Sequence, residues 1–301
     1  MHQKRHFAVR IMLVTRNMRT LFSKWLHATT MVALAVTSAV ADAAEQNSWG
    51  KVRGPSGGPP SVVGSYSNGC ISGAGAIPRF GPGYVVLRPQ RNRFWGHPAL
   101  IGFLGDLALP YAKTGEALLI ADISQPRGGP VSGHASHQIG LDADIRLTIV
   151  PRAKVTDVYR EKPPHISMLG QGAKPGRRSI DPKRFSDRQT ALIRSAARDP
   201  RVDRLFVNPV IKRALCRRVK TDRSWLRKVV PWYGHDAHMH VRLYCPPGSP
   251  ACVRQKALPP GDGCGANLAW WFTKEPYKPR KGGVRRSRPL LPRACGGILR
   301  R

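Results

Sequence analysis

The sequence predicts an α+β fold, because short apolar runs typical of strands and capped helical segments follow one another without regular strand–helix–strand alternation. The composition agrees: 41% hydrophobic residues, interrupted by 30 Gly and 27 Pro, describe a loop-rich globular chain of 301 residues rather than a coiled coil or a disordered tail. No composition break or internal repeat divides residues 65 to about 271. We therefore expect one domain there, with flanking helices and long loops.

Each predicted element has a local signal. The strands are short runs of aliphatic and β-branched residues at 84–87, 117–123, 141–147, 204–207 and 239–243. The helices are expected at 98–113, 187–198 and 209–218. Ser186 and Gln189 have the spacing of a capping box before the second helix, and Asn208 precedes Pro209 as the N-cap of the third.

The first 43 residues are typical of a secretory signal peptide. Six basic residues come before a short apolar run at 31–40, which ends in the small residues Ala39, Val40 and Ala41. The run is too short to cross a bilayer as a helix, so the mature chain is expected to be exported and not transmembrane. An uncleaved membrane anchor is the alternative.

The charge of the chain predicts an anionic partner. The formal net charge is +33, and removal of residues 1–43 takes away six basic residues and one acidic residue, which leaves +28. Export argues against nucleic acid, and the sequence contains no nucleic-acid recognition motif. Anionic surfaces and acidic polymers outside the cytoplasm remain as the expected partners.

The cysteines agree with export. All six follow the expected cleavage site and none forms a C-x-x-C pair, which favours disulfides over structural zinc, with six buried free thiols as the alternative. Spacing alone does not choose among fifteen pairings.

Two short stretches carry most of the chemistry: GHASHQIGLDADI at 133–145 and HDAHMHVRL at 235–243. If the second is a strand, His238 and His240 point to the same face. His137, in a turn seven residues before Asp144, converges with that carboxylate if the two strands pair. Two histidines and one aspartate, with a fourth position left to water, form the ligand set of a catalytic zinc site.

The strings GHASHQIGLDADI and WYGHDAHMHVRLYCP resemble the signature segments of the penicillin-insensitive murein endopeptidases, within the superfamily of lysostaphin-type and D-Ala-D-Ala metallopeptidases. The resemblance covers about residues 61–296. It implies a periplasmic zinc peptidase that hydrolyses D-alanyl-meso-diaminopimelyl cross-links in peptidoglycan, with a small antiparallel sheet as its core. It also implies three disulfides: Cys70–Cys295, Cys216–Cys264 and Cys245–Cys252.

Carried over position by position, the resemblance makes His137, Asp144 and His240 the zinc ligands. His134 matches a histidine at or beside the metal. A second metal-binding Asp-x-x-His of some members has no counterpart around residues 176–179, so we expect one catalytic zinc ion and doubt a second.

The remaining histidines of the motifs are the expected catalytic residues. His238 and His235 match the active-site histidines of the family. We expect His238 to act as the general base; the alternative is a histidine that only braces the ligand His240. The sequence leaves two roles open for Arg242: it binds a substrate carboxylate, or it is structural.

The expected organisation is a signal peptide (1–43), a flexible lead-in (44–64), a zinc metallopeptidase domain (65–273) and a basic, extended tail (274–301) tethered by Cys295. The ten basic residues of the tail against one acidic residue predict weak association with anionic surfaces, or solubility alone. Besides a murein endopeptidase, the sequence leaves open a D,D-carboxypeptidase on peptidoglycan stems and a non-catalytic, wall-binding zinc module. The intact His238 and His235 argue against the last.

Overall fold

The computed structural model describes residues 48–170, 178–278 and 289–300. The strands in these ranges are β1 (Ser61–Ser65), β2 (Asn68–Ser72), β3 (Gly75–Ala76), β4 (Phe80–Gly81), β5 (Tyr84–Val86), β6 (Trp95–Gly96), β7 (Glu116–Ile120), β8 (Asp142–Arg146), β9 (Val150–Pro151), β10 (Val202–Val207), β11 (Val229–Pro231) and β12 (His238–Leu243). The α-helices are α1 (Pro98–Ala112), α2 (Asp157–Glu161), α3 (Asp187–Arg198), α4 (Pro209–Arg218), α5 (Ala266–Trp270) and α6 (Arg293–Arg300).

The main sheet has eight strands, in the order β11-β10-β12-β8-β7-β5-β4, with β9 added beside β7. This mixture of helices and one main sheet confirms the α+β class. The sheet is larger than the small antiparallel sheet that the resemblance implies, and it is mixed, since β5–β7 and β10–β11 are parallel. Each of these two parallel pairs is joined through a helix, α1 or α4, as parallel strands require.

Side chains alternate strictly along the two central strands, β8 and β12, so that one face of each strand lies toward the core and the other toward the site. Ala143 and Ile145 on β8, and Met239 and Val241 on β12, are fully buried in a hydrophobic cluster that also contains residues of α1 and α3. The residues between them point to the opposite face. The hydrophobic side of the strands thus fixes which residues face the site.

The predicted helices are confirmed, and their caps explain their bounds. Ser186 and Gln189 form the expected capping box at the start of α3. The side chain of Asn208 accepts a hydrogen bond from the Val210 N–H (3.0 Å) at the start of α4. The side chain of His97 caps α1 by accepting from the Ala99 N–H (3.1 Å).

The segment before residue 65 differs from the expected flexible lead-in. β1 pairs with β2 in an antiparallel hairpin, and the Val62 N–H donates to Ser249 Oγ (3.1 Å). Trp49 is 1% exposed and packs in a cluster with Ile298 of α6. Residues 49–64 therefore belong to the packed domain, since β1 pairs with the strand that follows it and both Val62 and Trp49 contact residues far along the chain. The expected signal peptide and residues 44–47 lie outside the described residues.

All three disulfides implied by the resemblance are present: Cys70–Cys295, Cys216–Cys264 and Cys245–Cys252. The first holds α6 against the β1–β2 hairpin, so the end of the tail is a docked helix rather than an extended segment. Residues 279–288 of the tail lie outside the described residues. None of the helices in the described ranges is long and apolar enough to span a membrane.

Candidate metal centre

The pairing of β8 with β12 brings the two sequence motifs together. Asp144 lies opposite His240 in the antiparallel register, and Asp142 lies opposite Arg242. Asp144 Oδ1 is 3.2 Å from His240 Nδ1 and 3.6 Å from His238 Nε2. The convergence predicted from the strand pattern is therefore observed for these three side chains.

His137 reaches the same carboxylate from the turn before β8. Its backbone is left-handed (φ 68°), a conformation that costs energy in a non-glycine residue and is often found at functional sites. The carbonyl oxygen of Ile123, 2.7 Å from Nδ1, can only accept, so Nδ1 carries the proton. The other ring nitrogen, Nε2, faces Asp144 Oδ1 at 3.4 Å.

His134 completes the cluster. Its Nδ1 is 4.0 Å from Asp144 Oδ2, while its Nε2 lies 2.8 Å from Asp122 Oδ2. One potential ligand atom from each of His134, His137 and Asp144 lies within 4.8 Å of the others. Donor atoms about 2.1 Å from a tetrahedral ion are ~3.4 Å apart, close to the 3.4 Å and 3.2 Å that separate Asp144 Oδ1 from His137 and His240.

Three buried polar atoms of this cluster lack a hydrogen-bond partner: His137 Nε2, Asp144 Oδ1 and His240 Nε2. Buried polar atoms are almost always paired, and leaving them unpaired costs free energy. Asp142 Oδ1 is 3.2 Å from His240 Nε2, an electrostatic contact that does not count as a hydrogen bond. A cation held between the imidazoles and Asp144 would satisfy His137 Nε2 and Asp144 Oδ1, so these residues fit a metal ion. His240 turns Nδ1 toward Asp144 and Nε2 toward Asp142, so Nδ1 is the atom that it could offer to the same ion.

Asp142 is a fully buried carboxylate behind the cluster. Arg242 donates two hydrogen bonds to it, from Nε (2.8 Å) and Nη2 (3.0 Å), and the His137 N–H donates a third (3.1 Å). The remaining Nη1 of Arg242 donates to Gln255 Oε1 (2.8 Å). The guanidinium of Arg242 thus forms its hydrogen bonds within the protein. Its role is therefore structural, and it does not bind a substrate carboxylate.

Asp122 plays the same part behind His134, and the sequence reasoning missed it. The Nη1 groups of Arg91 and Arg93 each lie 3.0 Å from its Oδ2. Burial opposes its ionisation, but the hydrogen bond with His134 and the two guanidinium groups outweigh burial and lower its pKa to about 2. Asp122 follows β7 at no characteristic spacing from the histidine motifs, so only tertiary structure reveals it.

The site keeps its carboxylates charged. Burial opposes ionisation of Asp142, but Arg242 and His240 hold its pKa well below the usual range. Burial also opposes ionisation of Asp144, whose pKa the neighbouring His137 and His238 hold well below the usual range. Ionised carboxylates are what cation binding requires.

The two remaining histidines lie at the mouth of the cluster, with ring centroids 4.9 Å apart. Burial and the nearby His238 lower the pKa of His235 to about 4, and burial also lowers the pKa of His238 despite the attraction of Asp144. Both imidazoles are therefore neutral near pH 7. The side chain of His238 is 28% exposed, and its Nε2 lies 3.6 Å from Asp144 Oδ1, so it connects solvent with that carboxylate.

The region expected to lack a second metal-binding Asp-x-x-His, around residues 176–179, is only partly described: residues 176 and 177 lie outside the described ranges, and 178 and 179 lie inside them. In the described ranges, the group of histidine and carboxylate atoms close enough together to hold a metal ion consists of His134, His137 and Asp144, and His240 is not among them.

Comparisons with known proteins find similarity along most of the chain. A family model described as penicillin-insensitive murein endopeptidase matches residues 62–300. The chain is 43% identical over 273 residues to a penicillin-insensitive murein endopeptidase of Klebsiella pneumoniae, covering 90% of this chain and 97% of the relative. It is 42% identical over 253 residues to that of Yersinia enterocolitica (83% and 90%) and 40% identical over 273 residues to that of Escherichia coli O1:K1 (90% and 97%).

Proposed function

The chain belongs to the penicillin-insensitive murein endopeptidase family, and from this membership and the geometry of its site we propose that it is a zinc-dependent endopeptidase of peptidoglycan. The bond that it hydrolyses is the D-alanyl-meso-diaminopimelyl cross-link. The observation that carries the proposal is the unpaired, buried Asp144 Oδ1, with ring nitrogens of His137 and His240 at 3.4 Å and 3.2 Å. These spacings suit one small tetrahedral cation.

Zinc is the proposed ion because the donor set contains imidazoles and a carboxylate and no thiolate. His137, Asp144 and His240 would hold it, with His134 as a further ligand. When bound, zinc supplies a water molecule that ionises near neutral pH and an electrophilic pole for the scissile carbonyl.

The chain's own residues supply the proton transfer. His238, neutral near pH 7, accepts the proton of the attacking water and delivers it to the leaving amine. His235, beside it at the mouth, orients the water or the developing oxyanion through its free Nε2, since its Nδ1 is bound to the Tyr233 carbonyl (2.6 Å). Asp122 and Asp142 hold His134 and His240 from behind.

The proposal includes the cellular setting. Residues 1–43 act as a signal peptide that directs the enzyme to the periplasm, where its substrate lies. The basic tail adds a weak, salt-sensitive attraction to the anionic surfaces there.

Metal analysis together with digestion of purified, cross-linked muropeptides tests the proposal. We expect wild type to bind one zinc ion and to release monomers from dimers. His240→Ala should lose both zinc and activity, whereas His238→Ala should keep zinc and lose turnover. His165→Ala, at a largely exposed histidine, is the matched control and should retain both properties.

The outcomes separate the alternatives. Release of terminal D-alanine without cleavage of dimers would replace the endopeptidase by a D,D-carboxypeptidase. Zinc binding without either product would leave a non-catalytic wall-binding module. Equal loss of zinc in both site variants would remove His238 from the role of base.

A further inference from the structure

Arg146 lies on the face of the sheet that carries the candidate metal centre. It follows Asp144 by two residues on β8, so the two side chains share a face. In the register of β8 with β12, Arg146 lies directly opposite His238, the proposed base. Neighbouring same-face residues of a strand are ~7 Å apart, so an arginine side chain there can reach whatever the metal centre holds.

The guanidinium of Arg146 has no partner in the described part of the chain. It is half-buried, yet no hydrogen bond, ion pair or ring contact joins it to a described residue. The other arginines around the site are paired: Arg91 and Arg93 with Asp122, and Arg242 with Asp142. Removing a guanidinium from water without a partner is unfavourable.

A second unpaired arginine increases the positive charge at this point. Arg88, just after β5, is also half-buried, and its side chain likewise makes no such contact within the described ranges. It lies near enough to repel Arg146. Tyr159, Asp144 and Asp236 attract Arg146 electrostatically, but none of them forms a hydrogen bond or ion pair with it. The charge of Asp144 is already shared among His137, His238 and His240.

We propose that Arg146, assisted by Arg88, binds a carboxylate of the substrate, namely the free carboxylate on the carbon that bears the leaving amine. This proposal rests on the proposed function. In a D-alanyl-meso-diaminopimelyl cross-link that carboxylate is two bonds from the scissile nitrogen, so it must lie beside the metal centre during hydrolysis. A planar guanidinium holds a carboxylate through two parallel hydrogen bonds, which fixes the leaving amine next to His238.

Two cross-linked muropeptide dimers test the proposal, one with this carboxylate free and one with it converted to the amide. We expect wild type to hydrolyse the free form with a kcat/KM roughly 10- to 100-fold higher, the range of a charge-assisted hydrogen bond. Arg146→Met should hydrolyse both dimers at the same low rate. Arg146→Lys should restore part of the preference, because it keeps the charge but not the fork.

Arg217→Met is the matched control: Arg217 is an exposed arginine near the end of α4, and its replacement should leave the preference unchanged. Zinc content and thermal midpoint confirm that each variant is folded, and Arg88→Met repeats the test with a smaller effect if Arg146→Met does not fold.

Each outcome either supports or overturns the binding of the substrate carboxylate by Arg146. A preference for the free carboxylate that survives in Arg146→Met would overturn the proposal, as would a wild type that hydrolyses both dimers equally. The latter result would leave the endopeptidase activity standing. A wild type that cleaves neither dimer would instead refute the proposed function, and this inference with it.

Discussion

Replacing Asp142 by asparagine tests whether the buried carboxylate behind His240 supports the metal centre. The change keeps the shape of the side chain and removes its charge. Asp142 is fully buried, and its two roles are distinct: it faces His240 Nε2 at 3.2 Å, and it neutralises Arg242, whose side chain is 8% exposed. We expect one measurable loss for each role.

The magnitudes follow from these contacts. Loss of an outer carboxylate that orients a ligand histidine weakens metal binding by about 10- to 100-fold. Loss of the charge opposite a buried guanidinium destabilises the fold by roughly 3–5 kcal/mol, because Arg242 is left without its counter-charge. Both groups are too buried for solvent to screen this cost.

A double variant separates the two losses. Asp142→Asn/Arg242→Met removes both charges, so most of the lost stability should return while zinc affinity stays low. Affinity is measured by competition with a chelator of known strength. Unfolding by guanidinium is measured with the metal removed, because bound metal would itself raise the stability. Wild-type affinity in Asp142→Asn, or recovery of affinity in the double variant, would refute the positioning role of Asp142.

Three further perturbations probe the surrounding structure. Asp122→Asn should lower zinc affinity by about 10-fold in the same competition assay, since His134 loses the carboxylate 2.8 Å from its Nε2; an unchanged affinity would exclude His134 from the site. Replacing Cys70 and Cys295 together by serine should lower the unfolding free energy by about 5 kcal/mol, given the 225-residue separation of the two, and a loss below ~1 kcal/mol in denaturant titrations would contradict this. Burial lowers the pKa of Lys212 from 10.5 to about 8, so between pH 8 and 10 the unfolded chain binds more protons at this residue than the folded chain. The unfolding free energy of wild type should therefore rise with pH relative to that of Lys212→Met, by at most ~1.4 kcal/mol per pH unit. Equal pH slopes for the two proteins would contradict the lowered pKa of Lys212.

Local signals predicted those elements whose cause is local. The capping box of Ser186 and Gln189 and the N-cap Asn208 set the starts of α3 and α4 as expected, because each depends on residues within one turn. Alternation along β12 placed His238 and His240 on one face for the same reason.

The burial of residues 49–64 escaped prediction because the residues that cover them are distant in sequence, although β1 pairs with the next strand along the chain. A Gly- and Pro-rich segment with no periodic pattern was expected to stay flexible. Val62 instead bonds to Ser249, and Trp49 packs beside the Cys70–Cys295 disulfide. Burial of this segment depends on the end of the chain, which no local window contains.

In the candidate site, the sequence identified the side chains that converge on Asp144 and missed those that hold them. Asp142 and Arg146 had a readable signal, since they alternate with Asp144 on the strand opposite the histidine pair. Asp122 had none, because its link to His134 arises where the loop after β7 meets the turn before β8. Arg242 was left between two roles, and only the geometry around Asp142 resolved them.

X-ray absorption spectroscopy at the zinc edge tests most directly whether the protein holds a zinc ion at this site. The spectrum of purified wild type is compared with those of the single variants His137→Ala, Asp144→Asn and His240→Ala. We expect one zinc ion per chain bound by nitrogen and oxygen atoms at about 2.0–2.1 Å, with no sulfur neighbour, and a changed first coordination shell in every variant. A zinc signal with sulfur ligands, or one that all three substitutions leave unchanged, would contradict the metal centre.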